Sequence, residues 1–303
     1  MIYSLAALSV LFSAGISFLG PGDYSRTIQM DGYERSYLVH IPPNYDPKKP
    51  TPVILAFHGG GANANHMVAY CGLNRKSDDA GFIVVYPNGT GRLEKLLTFN
   101  AGNCCGYAMT NEIDDEEFTR RILDDLATSA NINAKMVFAT GMSNGAIMSY
   151  RLASELSDRI AAIAPVGGPM GTERCKPSRP VSVIHFHGTD DEHAPINGGK
   201  GKGVSGTEFY SVEHSIQAWV EANGCNKKPV VTMFPDTAKD GTLVSRKTYG
   251  SGKGGAEVVL VEIVGGGHTW PGQQPRLKAL GKSTRNISAN DMMWDFFEKH
   301  PMK

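Results

Sequence analysis

Short apolar, β-branched runs alternate along this chain with longer stretches in which apolar side chains recur every three or four positions. Pro52-Val-Ile-Leu-Ala-Phe57, Lys135-Met-Val-Phe-Ala-Thr140, Val181-Ser-Val-Ile-His-Phe-His187 and Val258-Val-Leu-Val-Glu-Ile-Val264 predict strands. Their near-continuous apolar character fits strands covered on both faces, as in a parallel sheet. Helical periodicity predicts helices over 116–129 and 146–156. Near the start, strands over 26–30 and 34–41 flank Asp31-Gly32, a two-residue hairpin turn. Strands alternating with helices predict an α/β class protein with a doubly wound, mostly parallel sheet flanked by helices. One such domain, spanning 21–303, accommodates the whole alternation.

The chemistry sits where the strands end. Gly141-Met-Ser143-Asn-Gly145 follows the 135–140 strand and opens the 146–156 helix. A strand-to-helix turn this sharp leaves no room for side chains at its first and last positions, so glycine occupies both. It holds the Ser143 hydroxyl clear of the backbone at a helix N-terminus, as a nucleophile requires. A serine nucleophile needs a base, an orienting acid and oxyanion donors. The order Ser, then acid, then His is met downstream. The strand ending at His187 runs into Gly188-Thr-Asp190-Asp191, and the 258–264 strand runs into Gly265-Gly-Gly-His268. His268 is the candidate base; Asp190 and Asp191 are both candidate acids, with a turn cap as the alternative role of either. Upstream, the 52–57 strand ends in His58-Gly59-Gly60-Gly61, a loop suited to present backbone N–H groups to an oxyanion. Gly60, Gly61 and Asn144 are the candidate donors. His185, His187 and His193 cluster beside the acid, but no i, i+4 His pair on a helix and no cysteine pairing accompanies them, and no metal is expected.

Charge changes the picture little. Lys plus Arg and Asp plus Glu number 30 each, and no basic stripe stands out, which argues against a nucleic-acid partner. The apolar stretch from Leu5 to Leu19 is too short to span a bilayer comfortably, so 1–20 reads as an export signal and no stable membrane insertion is expected. It lacks a preceding Lys or Arg, and its cleavage point is undefined. The glycine-rich span 197–206 is the one candidate mobile loop. Asp114 and Asp115 precede the 116–129 helix as a cap and first-turn acid.

Several blocks resemble the secreted α/β-hydrolase esterases that include polyhydroxybutyrate depolymerases and feruloyl or acetyl-xylan esterases. They are His58-Gly-Gly-Gly, Gly81-Phe-Ile-Val-Val-Tyr-Pro-Asn-Gly89, Asn103-Cys-Cys-Gly106, Ile113-Asp-Asp115, Gly141-Met-Ser-Asn-Gly145, His187-Gly-Thr-Asp-Asp191, Ala222-Asn-Gly-Cys225 and Gly265-Gly-Gly-His-Thr-Trp-Pro-Gly272. The likeness covers roughly 27–297. It implies the α/β-hydrolase fold, a Ser143–His268–Asp191 triad, an ester substrate, small or polymeric, and no cofactor; it favours Asp191 over Asp190. It departs from the family at Ala194-Pro195, where relatives often carry Val-Pro, and at Glu116, where they often carry Val. Substrate contacts are assigned to His58 and to Trp270, whose alternative is a core tryptophan that pins the histidine loop.

Five cysteines, at 71, 104, 105, 175 and 225, allow two disulfides and one spare thiol in an exported protein. Adjacent cysteines rarely bond each other, so Cys104 and Cys105 are each expected to reach a distant partner, with Cys175 and Cys225 the candidates. Asn88 and Asn286 head glycosylation sequons. The expected activity is a secreted serine esterase on feruloyl or acetyl esters of plant polysaccharide. Polyhydroxybutyrate depolymerisation, a catalytically silent binding protein and a serine peptidase are the alternatives.

Overall fold

A computed structural model of the chain describes residues 18–93, 95–203, 206–275 and 277–303, so all but the end of the expected export signal lies outside the described residues. The hairpin forms as its turn dictates. β1 (Gly22–Met30) and β2 (Tyr33–Ile41) pair antiparallel, with Met30 opposite Tyr33. Asp31 and Gly32 take φ of 53° and 79°, positive at both positions as a tight hairpin turn of matching twist needs.

The centre of the sheet is parallel. β3 (Thr51–Phe57), β4 (Ile83–Pro87), β5 (Ile132–Met142), β6 (Ala162–Val166), β7 (Ser182–Gly188) and β12 (Val258–Val264) lie in the order β4-β3-β5-β6-β7-β12. β2 and then β1 add antiparallel beside β4; β11 (Leu243–Tyr249) and then β10 (Val230–Met233) add beyond β12, giving ten strands. β8 (Gly199–Lys200), within the glycine-rich span, and β9 (Glu208–Phe209), just after it, form a separate two-stranded ribbon.

Helices cover both faces. α1 (Ala64–Cys71), α2 (Leu73–Ala80) and α7 (Ala289–Phe297) pack on one; α4 (Asp115–Ser129), α5 (Asn144–Glu155) and α6 (Val212–Asn223) pack on the other; α3 (Gly106–Thr110) is a single short turn. This double cover explains the unbroken apolar runs. In β3, Val53, Leu55 and Phe57 point to the α4–α5–α6 layer, while Ile54 and Ala56 point to the α1–α2–α7 layer. The outer edge differs. Val230, Val231 and Met233 of β10 are exposed, Phe234 N–H bonds back to the Val244 carbonyl, and Pro229 and Pro235 flank the strand.

One buried feature ties distant segments together. Asp114 caps α4 by accepting from Glu117 N–H at 2.9 Å, as expected. Asp115 goes further: buried, it accepts from the Arg35 guanidinium at 2.6 Å and from Asn100 N–H at 2.7 Å, joining β2, the 98–105 loop and α4. The cysteine expectation is not met: Cys104 and Cys105 lie against each other rather than against a distant cysteine, and Cys71, Cys175 and Cys225 are free. The Cys225 thiol instead turns to the Ala256 carbonyl at 3.5 Å. Both sequon asparagines spend their amides internally: Asn88 on Ala64 N–H and Ser36, Asn286 on Ala238 N–H, Asp236 and Thr242.

Candidate active site

Five neighbouring strands, β3, β5, β6, β7 and β12, end on the same side of the sheet, and each delivers one loop there: 58–61, 143–145, 167–171, 189–194 and 265–271. In open α/β sheets the crevice beyond the carboxyl ends of the strands is where sites are built. Ser143, Asp190, Asp191, His268 and the glycines at 59–61 and 265–267 fall on these loops.

Ser143 stands between β5 and α5 with φ 57° and ψ −118°, a backbone state that a non-glycine residue holds only when its surroundings enforce it. The enforcement is visible. Ser143 N–H bonds the Val166 carbonyl at 2.9 Å, and the Ser143 carbonyl accepts from Ile147 N–H at 3.0 Å. A Cβ on Gly145 would overlap the Phe57 carbonyl, and one on Gly141 would overlap Gly145 itself, so both motif glycines are required by contact. The half-buried Ser143 then sits at the mouth of α5, next to N–H groups without intrahelical acceptors.

Asp191 and His268 meet across the β7 and β12 loops. His268 Nδ1 lies 2.7 Å from Asp191 Oδ2. The other carboxylate oxygen, Oδ1, accepts His193 N–H at 2.9 Å and Ala194 N–H at 2.8 Å. Burial pushes the Asp191 carboxyl up, but the His268 contact, with His187 and the Ala194 N–H behind it, holds it below the ordinary carboxylate range. Asp190, by contrast, is exposed and accepts from the hydroxyl of its neighbour Thr189 at 2.9 Å, while it is Asp191 that meets His268. The Gly167–Gly168 pair after β6 connects this couple to the serine. A Cβ on Gly167 would stand 3.4 Å from His268 Nδ1 and 3.5 Å from Asp191 Oδ2; one on Gly168 would overlap the Ser143 carbonyl. These glycines, which carry no reactive side chain, were not singled out from sequence.

The 58–61 loop packs on the serine turn: a Cβ on Gly59 would lie 3.6 Å from Ser143 Cβ, and one on Gly60 would lie 3.7 Å from Asn144 Cβ. Asn144 is the first residue of α5, and its side chain clamps Phe99 through both N–H and carbonyl, at 2.8 and 2.9 Å. Two assignments change here. Gly61 N–H is bonded to the Leu97 carbonyl at 2.9 Å, leaving Gly60 and Asn144 as the candidate donors. His58 is buried rather than facing substrate: Nδ1 is 2.8 Å from the Gly59 carbonyl, and Nε2 accepts Gly89 N–H at 3.0 Å. Burial lowers it to about 4, so it braces this loop as a neutral ring.

Trp270 is likewise a core residue. It is fully buried, its indole N–H donates to Asn290 at 2.9 Å, and its backbone N–H donates to the Tyr70 hydroxyl at 3.0 Å. It anchors the histidine loop to α7 and α1. The ring that lies against His268 is His193, at 5.1 Å between centroids and partly exposed. Glycines of the 197–206 span also pack near the acid, with Lys202 N–H bonding the Glu192 carbonyl at 2.8 Å.

No family model matches the chain. Among curated proteins it is 29% identical over 287 residues to the putative esterase NocK of Nocardia uniformis subsp. tsuyamanensis, covering 90% of this chain and 81% of that protein. It is 29% identical over 243 residues to feruloyl esterase B of Piromyces equi, covering 77% of this chain but only 42% of that longer protein. It is 28% identical to a probable feruloyl esterase C of Aspergillus niger, covering 79% of this chain and 90% of that protein. Among solved structures, the acetyl xylan esterase from Aspergillus awamori superposes with a TM-score of 0.60 at 13% identity, covering 90% of this chain and 99% of that one. A thermostable esterase gives 0.52 at 14% identity, covering 92% and 63%. The relatives are esterases, and the fold is the α/β-hydrolase fold. Among the described residues no helix is long and apolar enough to cross a membrane.

Proposed function

We propose that this chain, a carboxylic ester hydrolase of the α/β-hydrolase fold, works by acyl transfer through Ser143, His268 and Asp191. The observation that carries the reading is the 2.7 Å contact between His268 Nδ1 and Asp191 Oδ2, held over the same glycine pair that touches the Ser143 backbone. In this reading the Ser143 hydroxyl attacks the ester carbonyl while His268 Nε2 takes its proton. Asp191 keeps the proton on Nδ1, so Nε2 is the free base. The oxyanion accepts the N–H groups of Asn144 and Gly60, each donor being worth about 3 kcal/mol in the transition state. The alcohol leaves with the proton from His268, and water then attacks the acyl-enzyme with His268 again as base.

The substrate class proposed is feruloyl or acetyl esters of plant polysaccharide, supported by the names of the relatives. Export is part of the proposal, resting on the 5–19 apolar run, and intact-mass measurement of the mature protein from culture medium tests it. Ser143→Ala should abolish turnover of p-nitrophenyl acetate, and a fluorophosphonate should label Ser143 alone. Wild-type turnover in that variant would end the mechanism. Release of ferulate or acetate from arabinoxylan tests the substrate, and clearing of a polyhydroxybutyrate emulsion in its place would move the enzyme to polyesters.

A further inference from the structure

His185 and His187 take no part in the chemistry above, yet both are fully buried in β7. They lie on the face that carries Val181 and Val183, beneath α5 and α6, where apolar side chains belong. Their rings stack, 5.2 Å apart and 7° from parallel. Polar rings in such a place are tolerated only if every nitrogen is satisfied.

They are satisfied in one line. The Tyr150 hydroxyl of α5 lies 2.9 Å from His185 Nδ1; His185 Nε2 lies 2.9 Å from His187 Nδ1; His187 Nε2 lies 2.8 Å from the Ala194 carbonyl. The carbonyl can only accept, and that fixes every proton in the line. His187 must carry its proton on Nε2, so its Nδ1 accepts from His185 Nε2–H, and His185 Nδ1 accepts from Tyr150 O–H. Both rings are neutral in this arrangement. Burial drives both below the ordinary histidine range, which keeps them so.

The line ends at the candidate acid. Ala194 is gripped from both sides: its carbonyl by His187, its N–H by Asp191 Oδ1. The His187 Nε2–H also lies 3.6 Å from Asp191 Oδ2, the oxygen that meets His268. We propose that His187, held in one tautomer by the Ala194 carbonyl and backed by His185 and Tyr150, is a positioning residue that fixes the 191–194 turn and thereby the aim of the Asp191 carboxylate at His268. This rests on the triad reading of the previous subsection. The consequence is a site whose acid is oriented from inside the core by a directional hydrogen-bond chain running back to α5, the helix that begins beside the nucleophile.

The test compares His187→Phe, which fills the volume but offers no donor, with His187→Gln, which can place an amide N–H near the lost Nε2. His187→Phe should lower kcat on p-nitrophenyl acetate about 100-fold with KM nearly unchanged, the loss typical of a reacting group about 1 Å out of place. His187→Gln should restore most of it. In proton NMR the downfield resonance of His268 Nδ1–H should be lost or shifted in the Phe variant and retained in the Gln variant. Should His187→Phe not fold, Tyr150→Phe carries the test. Deleting that one oxygen leaves His185 Nδ1 without its donor and loosens the chain behind His187, and should shift the same resonance and lower kcat in the same direction. Wild-type kcat and an unmoved resonance in a folded His187→Phe or Tyr150→Phe protein, whatever the change in melting temperature, would overturn the proposal. Turnover in Ser143→Ala would instead sink the nucleophile assignment, and it leaves the resonance test readable.

Discussion

Replacing Asp191 with asparagine isolates what the acid does, because the surrounding hydrogen bonds dictate how the new amide must sit. Asp191 Oδ1 accepts two backbone N–H groups, from His193 and Ala194, and Oδ2 meets His268 Nδ1. A carboxamide has one accepting oxygen and one donating NH2. Putting the NH2 against two N–H groups would leave three buried donors facing one another, so the oxygen stays with the backbone and the NH2 turns to His268. Nδ1 must then accept, the imidazole proton moves to Nε2, and the ring can no longer take the Ser143 proton. The shape and both backbone bonds are kept, so the melting temperature should change little. Activity should not survive: the same tautomer reversal in serine proteases costs about 10⁴-fold in kcat, or about 5.4 kcal/mol of transition-state stabilisation. The assay is pre-steady-state acylation with p-nitrophenyl acetate at neutral pH. A burst rate for Asp191→Asn within tenfold of wild type would refute the reasoning and return the acid role to another group.

Two further outcomes follow from buried charge. Asp115→Asn removes the counter-charge of Arg35, which is itself buried and lies 3.9 Å over the Phe118 ring; leaving that guanidinium unpaired should cost about 3–5 kcal/mol in urea unfolding, against little change for a surface aspartate. His58 is held near 4 by burial against about 6.5 in the unfolded chain, so the unfolded state binds its proton first. Stability from this ring is therefore complete above about pH 6.5 and lost as pH falls toward 4, a difference of about 3 kcal/mol, with His185 and His187 acting in the same direction. Denaturation midpoints measured from pH 7 to 4 should fall accordingly, and a flat profile would contradict the neutral, buried assignment.

The parallel strands were legible because each is covered on both faces, which leaves an unbroken apolar run, and the serine turn because only glycine fits its ends. Other elements left weaker traces. α2 reads Leu-Asn-Arg-Lys-Ser-Asp-Asp-Ala and buries only Leu73 and Ser77, too few for a periodic signal. β6 is a short Ala-Ile-Ala-Pro-Val run, and the glycine pair behind it carries no reactive group to draw attention. Trp270 and His58 were assigned to substrate from their place in motifs. What buries them, Asn290 for one and Gly89 for the other, is 20 and 31 residues away in the chain. The fate of Cys104 and Cys105 likewise turned on where Cys175 and Cys225 lie in three dimensions, which spacing does not encode. Choosing between the adjacent acids needed the family likeness; in the structure it is the Asp191 carboxylate that meets His268.

The outer strand β10 carries a message about life at high concentration. Its even-numbered residues turn their backbone toward β11, as the Phe234 to Val244 bond shows, so Val231 and Met233 face outward between Pro229 and Pro235. Proline has no N–H to give, so a passing chain finds only two outward donors on an otherwise sticky apolar ribbon. Any ladder seeded there finds outward donors for only a few rungs, which limits edge-to-edge growth at this end of the sheet.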